Sequence, residues 1–379
     1  MKNSKIITIF ICLSLSTLIY NTATATQLNI NKNNELIQNL LLDPLEYSYF
    51  VDDNADSSWY DNIHLKKIQD AIDNSSHHDN IYVYSGSYYE NIIVHKKVNI
   101  TGEDKNTTII DGLEKSNVIS ILFDGVLISG FTIQNSSKKL LDAFDNAGIS
   151  VISQKSKITN NIIRNNLYAI SIRDSNENII DNNIICDNKV KKILTFGTAI
   201  TISNSHNNII SNNNIFNNPI GISIDQSIDN LICNNSVNKS NLAITISSNI
   251  VSGRVSKNNT VMGNKISGNN LGISIDESNK NIIKLNTIKG NINGVQLTYA
   301  TENSILQNNI KLNLKQARFV IENLSHLENT WNGNYWNMPR IMPKAIIGYK
   351  ILDIPTIPYN IKFPLFNFDK NPAREPYDI

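Results

Sequence analysis

The chain has 379 residues, is 41% hydrophobic, and sets 34 Lys and Arg against 33 Asp and Glu. That balance argues against nucleic acid as the main partner, because phosphate binding needs clustered cations, while the apolar share is enough for a large core. Asparagine supplies roughly one residue in six, although it favours neither helix nor strand. Either the chain is a low-complexity tract, or Asn does a repeated structural job.

The first 25 residues read as a secretory signal. Lys2 and Lys5 give a positive start, Ile6 to Tyr20 is an apolar run too short for an ordinary span, and Ala23-Thr24-Ala25 fits the small-residue cleavage rule. An uncleaved signal anchor is the alternative. Residues 26–60 read as an N-terminal extension. Leu65, Ile68 and Ile72 have helical spacing, so Leu65 to Asn74 is expected to form a helix capping one end of the strands after it. Ile81 to Gly112 holds short strands with turn signals, and 61–117 is read as this helical cap with irregular first coils.

From there the chain repeats. The segments GISV, AISI, AITI, GISI, AITI, GISI and GVQL begin at Gly148, Ala169, Ala199, Gly221, Ala243, Gly272 and Gly294, in steps of 21, 30, 22, 22, 29 and 22 residues. The long steps are a 22-residue unit plus an insertion. Three polar columns align. The first is Ser156, Asn178, Asn208, Asn230, Asn259, Asn281 and Asn303. The second is Asn161, Asn183, Asn213, Asn235, Asn264, Asn286 and Asn308. The third is Asn166, Asn188, Asn218, Ser240, Asn269, Asn291 and Asn313. An apolar residue, usually Ile, stands two residues after most of them, a regularity that disorder gives no reason to keep. Short alternations such as Ile222-Ser223-Ile224 are strand signals, and Asn tolerates the left-handed conformation of a sharp corner. A unit with three strands and three corners closes on itself. Stacked at roughly 4.8 Å, equal positions form ladders. The fold class is therefore all-β, a parallel β-helix, and right-handed by the rule for strand crossovers. Residues 118–328 carry the regular repeats. The tail 329–379, with Trp331, Trp336 and most of the prolines, reads as a C-terminal cap.

The stretch KIQDAIDNSSHHDNIYVYSGSYYENIIVHKKVNITGEDKNTTIIDG resembles the entry segment of exported right-handed β-helix proteins grouped around the periplasmic copper-binding family named for NosD. That grouping includes modules described as carbohydrate-binding and sugar-hydrolysing. GISIDQSIDNLICNNSVN looks like their repeat unit, and the ending NTWNGNYW…FNFDKNPAREPYDI is similar to the C-terminal cap of many archaeal surface members. The resemblance covers roughly Tyr49 to Ile379. It implies the fold and an exported, cell-surface or secreted location; activity varies too widely among members to be carried over.

Copper is the first chemistry the resemblance suggests, and such sites want His, Cys or Met at suitable spacing. The histidines at 64, 77, 78, 95, 206 and 326 are scattered, with only His77-His78 adjacent. Cys186 and Cys233 fall in different columns, which argues against both a disulfide and a shared metal site. No metal or cofactor is expected. Carbohydrate chemistry is the second. In the G-I-S-I strand the third and fifth positions point outward. The third-position column is Ser150, Ser171, Thr201, Ser223, Thr245, Ser274 and Gln296, a small polar face. The fifth is Ile152, Arg173, Ser203, Asp225, Ser247, Asp276 and Thr298. Asp225 and Asp276 are two coils apart, roughly 9.6 Å, near the upper limit for an inverting carboxylate pair and too wide for a retaining one. Arg173 suits a uronate, and Tyr168 and Tyr299 are the nearest aromatic candidates. The plain alternative is that these are solubilising surface charges. Insertions at Ser137–Asn146 and Lys189–Phe196 leave one corner and could wall a shallow groove. Asp52-Asp53-Asn54-Ala55-Asp56 lacks the Gly and distal Glu of a calcium loop.

The leading expectation is a non-catalytic exported protein presenting a polar face to a polysaccharide or cell-envelope glycan, with Arg173, Asp225, Asp276, Tyr168 and Tyr299 as binding candidates. The competing class is a lyase, hydrolase or epimerase using Arg173, Asp225 and Asp276. Copper delivery is third. The sequence specifies neither the ligand nor the oligomeric state.

Overall fold

A computed structural model of the protein describes residues 46–139, 146–189, 197–248, 253–321, 328–352 and 361–379. The chain divides into two units after Glu46, and the second, Tyr47–Ile379, holds the described strands and helix. Residues 1–25, where a signal is expected, and residues 140–145 and 190–196 of the two insertions lie outside the described residues.

Each regular coil has three strands. The first is the long one, as in Tyr168–Arg173, Thr198–Ser203, Ile220–Asp225, Leu242–Ser247, Leu271–Asp276 and Asn293–Thr298. The second and third have three residues each, as in Leu231–Cys233 and Ser236–Asn238. Every strand pairs in parallel with its equivalent one coil away, in unbroken register. Ile222 lies beside Ile200 and Ile244, and Ile215 beside Ile185 and Val237. Because side chains alternate, the apolar member of each N-x-I triplet faces inward. Ile163, Ile185, Ile215, Val237, Ile266, Ile288 and Ile310 form one such inner column, all fully buried. Burying an aliphatic side chain contributes roughly 1.5–3 kcal/mol, so these columns supply most of the stability.

The Asn columns are hydrogen-bonded ladders. Asn183 Nδ2 donates to Asn213 Oδ1 at 3.0 Å, and Asn213 Nδ2 to Asn235 Oδ1 at 3.0 Å. Asn183 Nδ2 also donates to the carbonyls of Ile158 and Asp181, and its Oδ1 accepts from the Asn161 backbone N–H. Only a side chain carrying both donors and an acceptor can close this network. Two expectations are corrected. The left-handed residue of each corner is the one before the ladder Asn: Asn160, Asn182, Asn212 and Asn234 have φ of 56°, 54°, 54° and 56°. The ladder Asn itself points inward and is spent on hydrogen bonds. There is also a fourth turn per coil. After the long strand, Asp174, Asn204, Gln226 and Glu277 take φ of about 50°. Next come Ser175, Ser205 and Ser227, whose hydroxyls form a buried serine ladder: Ser175 N donates to Ser205 Oγ and Ser205 N to Ser227 Oγ, each at 3.0 Å.

The sheet of second strands begins at Tyr49–Val51, which pairs with Asn80–Val83. Helix α1 spans Ile68–Asn74, shorter than the expected Leu65–Asn74 because Leu65 is held in the strand His64–Leu65. It buries Ile68, Ala71 and Ile72. Its N-terminus has no side-chain cap of its own; instead the carboxylate of Glu90 accepts from the Ile68 and Gln69 N–H groups, each at 3.0 Å, a charge favourably placed at a helix start. At the other end, strand Lys344–Leu352 pairs with the long strand Lys315–Ile321 in parallel and with Ile361–Asp369 in an antiparallel hairpin.

Candidate functional site

The outward faces of the long strands set the candidate site. Register places Arg173, Ser203, Asp225, Ser247, Asp276 and Thr298 in one column. Asp225 and Asp276 are thus separated by Ser247. Asp225 is already engaged: Oδ1 accepts from Ser247 Oγ at 3.2 Å and Oδ2 from Gln226 Nε2 at 3.0 Å. Asp276 is half-buried, and that burial, followed by the neighbouring Glu277 carboxylate, holds its carboxyl above the ordinary range. Arg173 stands two coils from Asp225 on the other side, with Ser203 between them. Tyr168 is at the opposite end of the strand from Arg173 and pairs with Ala147 and Thr198, so it is not brought to the column. Tyr299 follows Thr298 and occupies the left-handed corner, at φ 52°.

The neighbouring third-position column is a strip of hydroxyls. Ser171, Thr201, Ser223 and Thr245 are half-exposed along it, whereas Ser150 and Ser274 are 2% and 8% exposed and recessed. The column does not stop at Gln296. Arg318 is its next member by register, and Arg318 Nε donates to Gln296 Oε1 at 2.8 Å. A 22-residue step from Gly294 lands on Gln316 and would have found it. Beside Arg318 is a cavity of about 330 Å³, whose walls include Lys315, Lys344, Trp336, Ile347 and Tyr349. Also unforeseen is an aromatic cluster on the first coils. Phe50 stacks on His64 at 5.3 Å, Trp59 meets Tyr84 at 5.9 Å, and Tyr82 meets Tyr84 at 5.0 Å. The Tyr82, Tyr84 alternation in sequence is the signal for its outward rings. These rings pack mostly edge-on against one another.

The sulfur and imidazole groups do not gather. Cys186 lies in the sheet of third strands and Cys233 in that of second strands; both are free and buried, and burial pushes each thiol up to about 11. His64 is bonded to Asp61 at 2.9 Å, which holds that carboxyl down at about 2. His326 lies outside the described residues. Among those described, no three of His, Cys, Asp and Glu come together.

Residues 117–253 match the family described as right handed beta helix region, and residues 244–341 match the periplasmic copper-binding protein family NosD. The chain is a NosD-like right-handed β-helix repeat protein. No curated protein sequence matches it. Among solved structures, the NosD-like chain is similar to the Dettilon tailspike protein, at 13% identity over 75% of this chain and 70% of that one, with a TM-score of 0.54. It is also similar to the A-module of the Azotobacter vinelandii mannuronan C-5 epimerase AlgE6, at 18% identity over 72% and 82% of the two chains, TM-score 0.48. A third is the catalytic domain of a GH87 alpha-1,3-glucanase, at 13% identity over 78% and 64%, TM-score 0.47. At these identities the likeness concerns fold alone.

Proposed function

We propose that the protein is an exported, non-catalytic glycan-binding β-helix that lays a polysaccharide along the hydroxyl strip of its long strands. The observation that carries this reading is the state of the column carboxylates. Asp225 has both oxygens bonded to neighbours, and Ser247 stands between it and Asp276. Asp225 is thus already engaged, and its spacing from Asp276, roughly 9.6 Å, lies at the upper limit for an acid and a base acting on one scissile bond. The column beside it offers accessible hydroxyls on four successive coils, Ser171, Thr201, Ser223 and Thr245, a spacing suited to repeated hydrogen bonds with a polymer. Export rests on the N-terminal signal pattern; no helix among the described residues is long and apolar enough to cross a membrane.

The enzyme reading keeps one observation in its favour. Asp276 is the carboxyl held protonated to higher pH by burial, the property of a general acid. The copper reading fits poorly. Within the span that matches NosD, the described soft donors are Met262 and Met338. Met262 neighbours Cys233 in register, which gives two sulfurs, but burial and Asp181 keep the Cys233 thiol protonated, against thiolate ligation.

The test is a panel of neutral and acidic polysaccharides offered to the mature chain, run beside assays for reducing ends, unsaturated products and epimerised sugars. Binding without product supports the proposal. Product formation that vanishes in Asp225→Ala or Asp276→Ala replaces it with the enzyme.

A further inference from the structure

We propose that the cavity at the C-terminal end of the long-strand sheet binds a carboxylate-bearing sugar unit, the end of an acidic glycan lying along the hydroxyl strip. This rests on the glycan reading above and names the ligand class.

The cavity has a structural cause. Strands Lys315–Ile321 and Lys344–Leu352 pair only from Arg318 opposite Ile347 onward. Upstream of that point they splay, and the space between them is the cavity of about 330 Å³, near the small end of ligand sites. Its position follows from the register. From Ser171 to Arg318 the outward column makes six coil steps, about 29 Å at roughly 4.8 Å per step, and Arg318 belongs both to the column and to the cavity wall. A polymer on the strip runs directly into it.

The chemistry of the wall selects the ligand. Lys315, Arg318 and Lys344 line it, and among the described residues no carboxylate does. None of the three has an ion pair among the described residues. Gln296 Oε1 accepts from both Nε and Nη2 of Arg318, which fixes one edge of the guanidinium and leaves its terminal end, with Nη1, for a carboxylate contact. Burial, and then the neighbouring Arg340, hold the Lys344 ammonium below its ordinary range; a bound anion would offset both. Nearby, Arg340 Nε is buried with no hydrogen-bond partner among the described residues. Trp336, Ile347 and Tyr349 give the apolar and aromatic surface that a sugar ring needs.

The experiment is calorimetric titration of the full mature chain with oligogalacturonate, a sulfated oligosaccharide and a neutral xylo-oligosaccharide. Each is repeated with Lys344→Gln, Lys344→Arg and Lys315→Gln, after thermal unfolding shows each variant folded. Oligogalacturonate is expected to bind, to lose at least tenfold in Lys344→Gln, to recover in Lys344→Arg, and to weaken less in the rim variant Lys315→Gln; the neutral sugar is expected to be insensitive to all three. Unchanged oligogalacturonate affinity in both glutamine variants overturns the cavity proposal while leaving strip binding intact. Equal, equally lysine-dependent binding of the sulfated ligand overturns the carboxylate assignment. Failure of the wild-type chain to bind any of the three removes the glycan reading itself.

Discussion

The side chain of Asp369 terminates the second asparagine ladder: Asn334 Nδ2 donates to Asp369 Oδ2 at 3.0 Å, as Asn308 Nδ2 donates to Asn334 Oδ1 at 2.9 Å. Asp369 is fully buried and also accepts from the Gly333, Asn334 and Asn371 backbone N–H groups and from Trp336 Nε1. A ladder of amides runs out of acceptors at its last rung, and a carboxylate, acceptor only when ionised, supplies them. The same contact ties the hairpin to Trp336.

Asp369→Ala would leave these donors without their acceptor. Unsatisfied buried groups cost roughly 1–3 kcal/mol each, and partial rehydration of this terminal site would limit the total to about 3 kcal/mol. Denaturant unfolding followed by tryptophan emission should show that loss first at the C-terminal end. Wild-type stability in this variant would mean that the hairpin is held by other contacts.

Asn183→Leu removes a rung that donates to Asn213, Ile158 and Asp181 and accepts from Asn161. The expected loss is about 3 kcal/mol or more by the same reasoning, with glycan affinity unchanged below the melting temperature. Lost affinity at full stability would make the ladder a binding element.

Asp276→Asn reads the buried column carboxylate. Its folded pKa is raised by burial and Glu277, so the native state binds the proton more tightly and loses stability as pH rises through the window above the ordinary value of 3.8. The asparagine variant should match wild type below that window and melt higher than wild type above it. The opposite order across a pH series of melting curves would contradict the assignment.

Cys186 and Cys233 should resist a thiol reagent at pH 8 in the native protein, since burial holds both near 11, and react when the protein is unfolded. Fast native labelling of Cys233 would show that the second-strand sheet opens there.

The repeat made the fold legible. A 22-residue period with Ile two residues beyond most column residues specifies which side chains face inward, and the register of Asn183 with Asn161 and Asn213 follows from counting alone. The serine ladder was hidden because Ser is common on the outward face too, and only the left-handed corner at Asp174 and Asn204 turns Ser175 and Ser205 inward. Two elements of the candidate site were missed for different reasons. Arg318 lay one step beyond the last glycine-led strand. The cavity depends on the splay between Lys315–Ile321 and a hairpin strand outside the repeat, and no periodicity reports where two strands stop pairing. Conversely, Tyr168 belongs to the same strand as Arg173 but stands at its other end, separated by the strand's length.

Thr245 stands in the middle of the hydroxyl strip, between Ser223 and Ser274. The most direct measurement is the affinity of Thr245→Arg for the polysaccharide that the wild-type chain retains best, with melting temperature recorded alongside. A side chain projecting across the strip is predicted to weaken binding at least tenfold without lowering the melting temperature; undiminished binding in a folded variant would contradict a glycan laid along this face.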